Sequence, residues 1–192
     1  MIIFDLDGTI ANCEHRRHFV DPTKIINSEY GNSDWVKSYS PEGDFLGYVN
    51  VRNPIKFKPD WKAFYESCDK DTVNNPVAEV IRCMLGYDYY DNQADIHIWS
   101  ARCESVRLKT QKWLDDNRIV YQSLKMRPIG DYTPDDELKE KWLDELLIGR
   151  PLGWGYMKHP VKMVFDDRKK VIQMWQRRGV FVFDVSQGKG DF

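Results

Sequence analysis

Cysteine is scarce and unpaired in this 192-residue chain: Cys13, Cys68, Cys83 and Cys103 are scattered, with no Cys-x-x-Cys spacing. That pattern suggests no disulfide framework. No signal peptide stands ahead of a motif that begins at residue 4, so the expected compartment is a reducing cytoplasm. No window approaches 18 consecutive apolar residues, which argues against a membrane-spanning helix and for a soluble protein. Neither sign of charge dominates. Lys plus Arg total 28 against 30 for Asp plus Glu, a net charge of −2. No global field therefore draws the chain onto a nucleic-acid backbone, and any such contact must be local. Also absent is a Gly-x-x-x-x-Gly-Lys-[Ser/Thr] stretch, the phosphate-cradling loop of a kinase.

Aromatic residues, by contrast, are abundant at 14%, with seven Trp. The length suits a single α/β domain, residues 1–192, with an insertion. Its most informative stretch is Phe4-Asp5-Leu6-Asp7-Gly8-Thr9-Ile10. Met1 to Phe4 is a short apolar run with β-branched Ile2 and Ile3, and Gly8 breaks the strand. Side chains alternate across a strand, so Asp5 and Asp7 are expected to leave one face and converge at its carboxyl edge. Carboxylates that close repel each other, and the pair persists when a cation neutralises it or one member holds a proton. Both conditions suit hydrolysis of a phosphate ester. Taken alone, Asp-x-Asp is equally explained by two solvated aspartates before a turn glycine.

Just beyond, His15-Arg16-Arg17-His18 forms a cationic patch, either a phosphate contact or an exposed basic turn. From 21 to 59 the pattern weakens, with Asn, Ser, Gly, Asp and Pro recurring among Trp35, Tyr39, Phe45 and Tyr48. This irregular insertion is too long for an ordinary connection, and reads as a lid with some structure of its own or as a mobile segment. Its aromatics suit a small satellite core or stacking on a nucleobase. A short helix is expected over 60–68, and a second from about Pro76, with Val77, Val80, Ile81, Met84 and Leu85 inward.

Asp95 to Trp99 reads as a buried strand with Ser100-Ala101-Arg102 at its carboxyl end, feeding a helix over 104–116 that turns Val106, Thr110, Trp113 and Leu114 inward. A strand end feeding a helix amino terminus is an anion-binding location, although an ordinary cap is the commoner role for such a serine. Val120 to Met126 is a third strand. Thr133 is expected to cap the next helix, with Pro134 at its first position and Leu138, Trp142, Leu143, Leu146 and Leu147 as its buried stripe. Lys139 lies one position off that stripe, where a lysine is usually a solvated charge. A second irregular segment covers 149–160. Val161 to Phe165 is a strand ending in Asp166-Asp167-Arg168, followed by a helix through Val171, Ile172 and Trp175, closed by Gly179, and a last strand over 180–185. Alternating strands and helices predict a mainly parallel sheet with right-handed crossovers and ligand binding beyond the strand carboxyl ends. Three such ends carry Asp5/Asp7, Ser100/Arg102 and Asp166/Asp167.

Phosphate monoesters resist hydrolysis because the dianion repels nucleophiles, and the accelerations required reach ~10²¹-fold. Asp5 with Asp166, Asp167 or both supplies hard oxygen ligands for Mg²⁺. Ser100, Arg102 and Lys139 are placed to hold the remaining phosphate oxygens. Asp5 is then the candidate for in-line attack to give an aspartyl phosphate, and Asp7 for the acid that protonates the leaving oxygen and the base that activates water.

Asp5-Leu6-Asp7-Gly8-Thr9, Ser100, a downstream Lys and Asp166-Asp167 resemble, in order and context, the four motifs of the haloacid dehalogenase (HAD) superfamily of phosphohydrolases. More closely, Asp7 to Ala11, Ser100-Ala101-Arg102, Gly130-Asp131 through Asp135-Asp136 to Lys139-Glu140, Asp166-Asp167-Arg168 through Met174-Trp175, and Gly190-Asp191-Phe192 are similar to the 3′-phosphatase domain of phage polynucleotide kinase-phosphatase. The resemblance implies a Rossmann-like α/β fold and Mg²⁺ as cofactor, and to that fold the chain adds a small insertion or cap after the first strand. It implies catalytic Asp5, Asp7, Ser100 and Lys139. Thr9, Arg16, Arg102 and Asp135 become substrate or phosphate contacts, and Asp5, Asp7, Asp166 and Asp167 the metal set. The implied reaction is removal of 3′-phosphate from polynucleotide ends, in a phage or bacterial cell; the missing kinase loop is a departure from the family and leads to the expectation of a phosphatase without a kinase domain in the chain. A 5′-nucleotidase enclosing a nucleoside monophosphate under the insertion is the alternative, favoured by the near-neutral charge. A non-catalytic binding module would need a lost catalytic group, and none is lost. The 21–59 and 149–160 segments have no counterpart in the pattern.

Overall fold

A computed structural model of the chain describes residues 1–26, 33–52, 56–86, 94–148 and 159–187. In chain order its regular elements are β1 (Ile2–Phe4), β2 (Ala11–Asn12), β3 (Trp35–Tyr39), β4 (Phe45–Asn50), α1 (Trp61–Glu66), β5 (Thr72–Val73), α2 (Asn75–Gly86), β6 (Ile96–Cys103), α3 (Arg107–Asp116), β7 (Ser123–Arg127), α4 (Asp135–Leu147), β8 (Met163–Asp166), α5 (Lys169–Arg177) and β9 (Val182–Asp184). They divide between two compact units, Met1–Asn12 with Asp71–Asp191, and Cys13–Lys70.

The first unit is built on a five-stranded sheet ordered β7-β6-β1-β8-β9. Every pairing in it is parallel, as the alternation of strands and helices predicts. Parallel strands are buried on both faces, which is why Ile2, Ile3 and Phe4 form an unbroken apolar run. Ile2, Phe4, Ile96 and Ile98 pack against Val77, Ala78 and Ile81 of α2 and Trp113 and Leu114 of α3. Ile3, Trp99 and Val164 form a second core with Leu138, Trp142 and Leu143 of α4 and Val171, Met174 and Trp175 of α5. Taken in chain order, the five strands stand 3-2-1-4-5 across the sheet, so the winding reverses beside β1 and opens a crevice at the carboxyl ends of β1 and β8. Across these strands Phe4 pairs with Phe165 and Phe165 with Phe183. Their rings stack, with centroids 4.4 and 4.6 Å apart.

Three local expectations change. β1 stops at Phe4, and Leu6 takes hydrogen bonds from the amides of Ile10 and Ala11 in a turn whose Gly8 has φ +92°. Strict alternation therefore does not extend to Asp7. Pro134, not Thr133, occupies the cap position of α4, which starts at Asp135. The Thr133 amide instead donates to the Asp131 side chain, a local turn that delays the helix by one residue. β6 runs on to Cys103, so Ser100 and Arg102 lie in its last residues, where its register with β7 shifts.

In the second unit Asp60 caps α1 by accepting a 2.9 Å bond from the Ala63 amide, and Cys13, Val20 and Phe64 form a small core with Phe19 and Tyr65. The 21–59 stretch is more regular than its composition suggests. β3 and β4 make an antiparallel hairpin running from Trp35↔Asn50 to Tyr39↔Phe45. Its turn is held by the Ser40 hydroxyl, which accepts from the amides of Glu42 and Asp44. Edge-to-face contacts link Trp35 to Phe57, Phe57 to Tyr48 and Tyr48 to Phe45. Most of the second irregular segment, and Gly190-Asp191-Phe192, lie outside the described residues. Among the described residues no helix is long and apolar enough to cross a membrane.

Candidate active site

The crevice beside β1 is filled by charge. β1 delivers Asp5, β8 delivers Asp166, and α4 sends Lys139 between them. The ammonium donates to Asp5 Oδ1 at 2.6 Å and to Asp166 Oδ2 at 2.7 Å. Lys139 is only 2% exposed. The solvated lysine that helical periodicity favours is thus replaced by a buried one, because this flank of α4 faces carboxylates rather than water. Burial disfavours the charge on Lys139, yet Asp166 and Asp5 outweigh it and hold its pKa above the ordinary value. Burial also raises the Asp5 carboxyl well above the usual carboxylate range. Lys139 opposes that shift, and Asp166 and Asp167 add to it.

Asp167 completes the cluster. Its Oδ1 accepts from the Thr9 hydroxyl at 3.0 Å, while burial and then the Asp166 charge push its carboxyl up to about 7. Gly8 presses its backbone onto this carboxylate so closely that a Cβ there would overlap it. Oxygens of Asp5, Asp166 and Asp167 lie within 4.8 Å of one another. Three acids against one ammonium leave an excess of negative charge in a purely oxygen donor set, which fits a hard divalent ion such as Mg²⁺. Asp7 is not in this group. Its carboxylate is held in the fork of Arg102 through Nε and one terminal nitrogen.

Arg102 organises a second arm. Only 1% exposed, it also donates to Asp71 Oδ2 at 2.8 Å and Thr110 Oγ1 at 3.2 Å. The buried Ser100 hydroxyl accepts from the Arg102 amide at 3.1 Å. Trp113 Nε1 donates to the Asp71 carbonyl at 2.8 Å, which fixes that residue in turn. A third arm joins Asp135 to Arg127 at 2.5 Å and to Arg168. Burial lowers the pKa of Arg168, but the charges of Asp135 and then Asp167 outweigh it and leave the value raised.

Of the residues singled out from the sequence, Asp5, Thr9, Lys139, Asp166 and Asp167 meet in one cluster. Asp7, Ser100 and Arg102 form the second arm, and Asp135 belongs to the third. Arg16 lies in the second unit, fully buried, with its guanidinium 4.1 Å over the Phe64 ring and donating to the Phe64 carbonyl at 3.1 Å. Asp71, Arg127 and the pairing of Arg168 escaped the sequence reading. Asp71 stands in a Lys-Asp-Thr context with no motif, and Arg127 at a strand end looks like any solvated arginine. Chemically, the arrangement offers a carboxylate facing a buried ammonium, a second carboxylate held in a fixed orientation by Arg102, and a group of three acids whose oxygens could hold a cation.

The chain spans 43% and 46% of two chains that it matches along its whole length, in structures of the Pnkp1/Rnl/Hen1 RNA repair complex and the Pnkp1/Rnl/Hen1 complex, at 24% and 25% identity with TM-scores of 0.58 and 0.57. A putative phosphatase from Clostridium difficile matches all of it at 17% identity and TM-score 0.54, with 86% of that chain covered. A haloacid dehalogenase-like hydrolase from Streptococcus pneumoniae shares the fold at 12% identity and TM-score 0.53, with 99% of this chain and 86% of the other covered. Residues 60–192 match the family described as the polynucleotide kinase PNKP phosphatase domain, a span that begins after the Asp5-x-Asp7 motif. With the charged crevice and the 3-2-1-4-5 sheet, that match places the chain in the PNKP phosphatase-domain family of haloacid dehalogenase phosphatases.

Proposed function

We propose that this phosphatase removes 3′-phosphate from polynucleotide ends through an aspartyl phosphate on Asp5. The observation carrying the reading is the buried Asp5–Lys139–Asp166 cluster, with Asp167 beside it and Asp7 oriented by Arg102. The polynucleotide substrate is supported by the family match and by likeness to a chain of an RNA repair complex.

In this scheme Asp5 attacks phosphorus in line, and the bond to the leaving 3′-oxygen breaks as Asp7 delivers its proton. Asp5, Asp166 and Asp167 would hold Mg²⁺, which would supply charge neutralisation and Lewis-acid polarisation. Lys139 offsets charge that builds on the phosphoryl oxygens, and its bond to Asp166 keeps it aimed there when Asp5 is esterified. Ser100 and Thr9 are the neighbouring hydroxyl groups, and the Ser100 Oγ also sets the strand-tip backbone. In the second step Asp7 takes a proton from water, which cleaves the acyl phosphate. Arg102 fixes the Asp7 carboxylate, whose side chain keeps 14% of its surface exposed and so stays reachable by the leaving group and by water.

The test is a substrate panel with Mg²⁺: 3′-phosphorylated DNA and RNA oligonucleotides, and 3′- and 5′-nucleoside monophosphates. Faster turnover of the oligonucleotides is the expected result. Far faster hydrolysis of 5′-nucleotides would replace this reading with the nucleotidase one.

A further inference from the structure

We infer that Arg127 is a positioning residue for this reaction, locking the Ser100–Arg102 strand tip to the start of α4 so that Lys139 reaches Asp5. The inference rests on the phosphohydrolase reading above. Arg127 is the last residue of β7 and is 7% exposed. Its Nε donates to the Ala101 carbonyl at 2.9 Å, between Ser100 and Arg102. One terminal nitrogen donates to the Thr133 carbonyl at 2.5 Å and the Asp131 carbonyl at 3.4 Å, in the turn leading into α4. The other donates to Asp135 Oδ1 at 2.5 Å, the first residue of α4.

Lys139 lies one helical turn beyond Asp135, and the second Asp135 oxygen takes Arg168, which directly follows Asp166-Asp167. A single rigid guanidinium therefore reaches the strand tip that orients Asp7 and the helix that carries Lys139, and it connects through Asp135 to the acidic end of β8. The sheet has no need of it. Its bonds go to carbonyls in a strand tip and a turn and to the Asp135 carboxylate, and burying a guanidinium carries a desolvation cost that an apolar side chain would avoid. Lysine cannot replace it, since one ammonium lacks the planar fork that spans three segments. Misplacing a catalytic group by about 1 Å costs on the order of 10²-fold in rate, which sets the expected effect.

The experiment compares Arg127→Lys and Arg127→Ala with the wild type on two substrates, p-nitrophenyl phosphate and a 3′-phosphorylated oligonucleotide, alongside thermal melts. Arg178→Ala is the control, because Arg178, at the end of α5, pairs with Glu140 and Asp144 of α4 and so tests loss of a helix-to-helix arginine that does not bond the strand tip. Both Arg127 variants are expected to lose about 10²-fold in kcat on both substrates with KM within about twofold, and guanidinium ion should restore part of the rate of Arg127→Ala. Arg178→Ala should keep wild-type kcat. A rise in KM confined to the oligonucleotide would overturn the proposal in favour of a substrate contact, and an unchanged kcat would overturn it outright. Loss of kcat that tracks loss of melting temperature, without rescue by guanidinium, would reduce Arg127 to a general stabiliser. If wild type hydrolyses p-nitrophenyl phosphate but not the oligonucleotide, the substrate reading fails while the Arg127 comparison still reads out. Hydrolysis of neither would overturn both.

Discussion

Lys139 donates a 2.6 Å hydrogen bond to Asp5 inside the protein, so the proposed nucleophile and its counter-charge are buried as a pair. Removing the ammonium leaves Asp5 and Asp166 facing each other without compensation. Lys139→Met is expected to cost about 3–5 kcal/mol of stability, the usual penalty for stripping one partner from a buried ion pair. Urea unfolding measures it, and Mg²⁺ should recover part of the loss. A midpoint equal to wild type would show that the pair is not buried in solution.

Asp5→Asn keeps the shape of the site and an acceptor for Lys139 but removes the attacking carboxylate. Phosphatase activity should fall on the order of 10⁴-fold or more, with the fold intact by circular dichroism. Steady-state rates in Mg²⁺ check this, and wild-type turnover would end the covalent scheme.

The Asp167 carboxyl, pushed up to about 7 in the folded protein, ionises near 3.8 when exposed. Its folded value is the higher one, so its stabilising contribution is fully present below about 3.8 and is lost as pH rises through about 7. A divalent ion prefers the ionised form and opposes that loss. Melting temperatures without metal should therefore fall between pH 5.5 and pH 8, and added Mg²⁺ should raise them more at pH 8. Equal Mg²⁺ shifts at the two pH values would argue against Asp167 as a ligand.

Gly8→Ala places a methyl group where the Asp167 carboxylate already sits, at a φ of +92° that costs a side chain about 1–3 kcal/mol. Both stability and Mg²⁺ affinity should drop, the latter read by isothermal titration. A variant that binds the ion as tightly as wild type would contradict the close approach.

The strand tips were legible from sequence because a short apolar run followed by paired acids is a local pattern, and the parallel sheet followed from alternation. Lys139 was a candidate phosphate contact from the chemistry of the strand ends, but its burial was not legible from its own helix. Its own surroundings suggested a solvated residue, since the carboxylates that bury it lie 134 and 27 positions away. Asp71 and Arg127 were not legible at all. Asp71 meets Arg102 from 31 positions away; Arg127 has near partners at Thr133 and Asp135 as well as the Ala101 carbonyl 26 positions away, but a buried arginine has the same letter as a surface one. The β3–β4 hairpin was masked by its own composition, since Lys37 and Ser38 interrupt β3, Gly47 interrupts β4, and the packing comes from aromatics spread between Trp35 and Phe57.

The stacked rings of Phe4, Phe165 and Phe183 bear on chemistry they never touch. Asp5 and Asp166 each follow one of these phenylalanines by a single residue, so the ring stack sets how far each carboxylate projects beyond the sheet. A slip of one residue between β1 and β8 would turn one acid to the opposite face and part it from Lys139. The rings thus serve as an alignment mark for the two acids. Substitutions at 4 or 165 that preserve apolar bulk while losing the flat stacked surface would cost activity through misregistration before they cost folding.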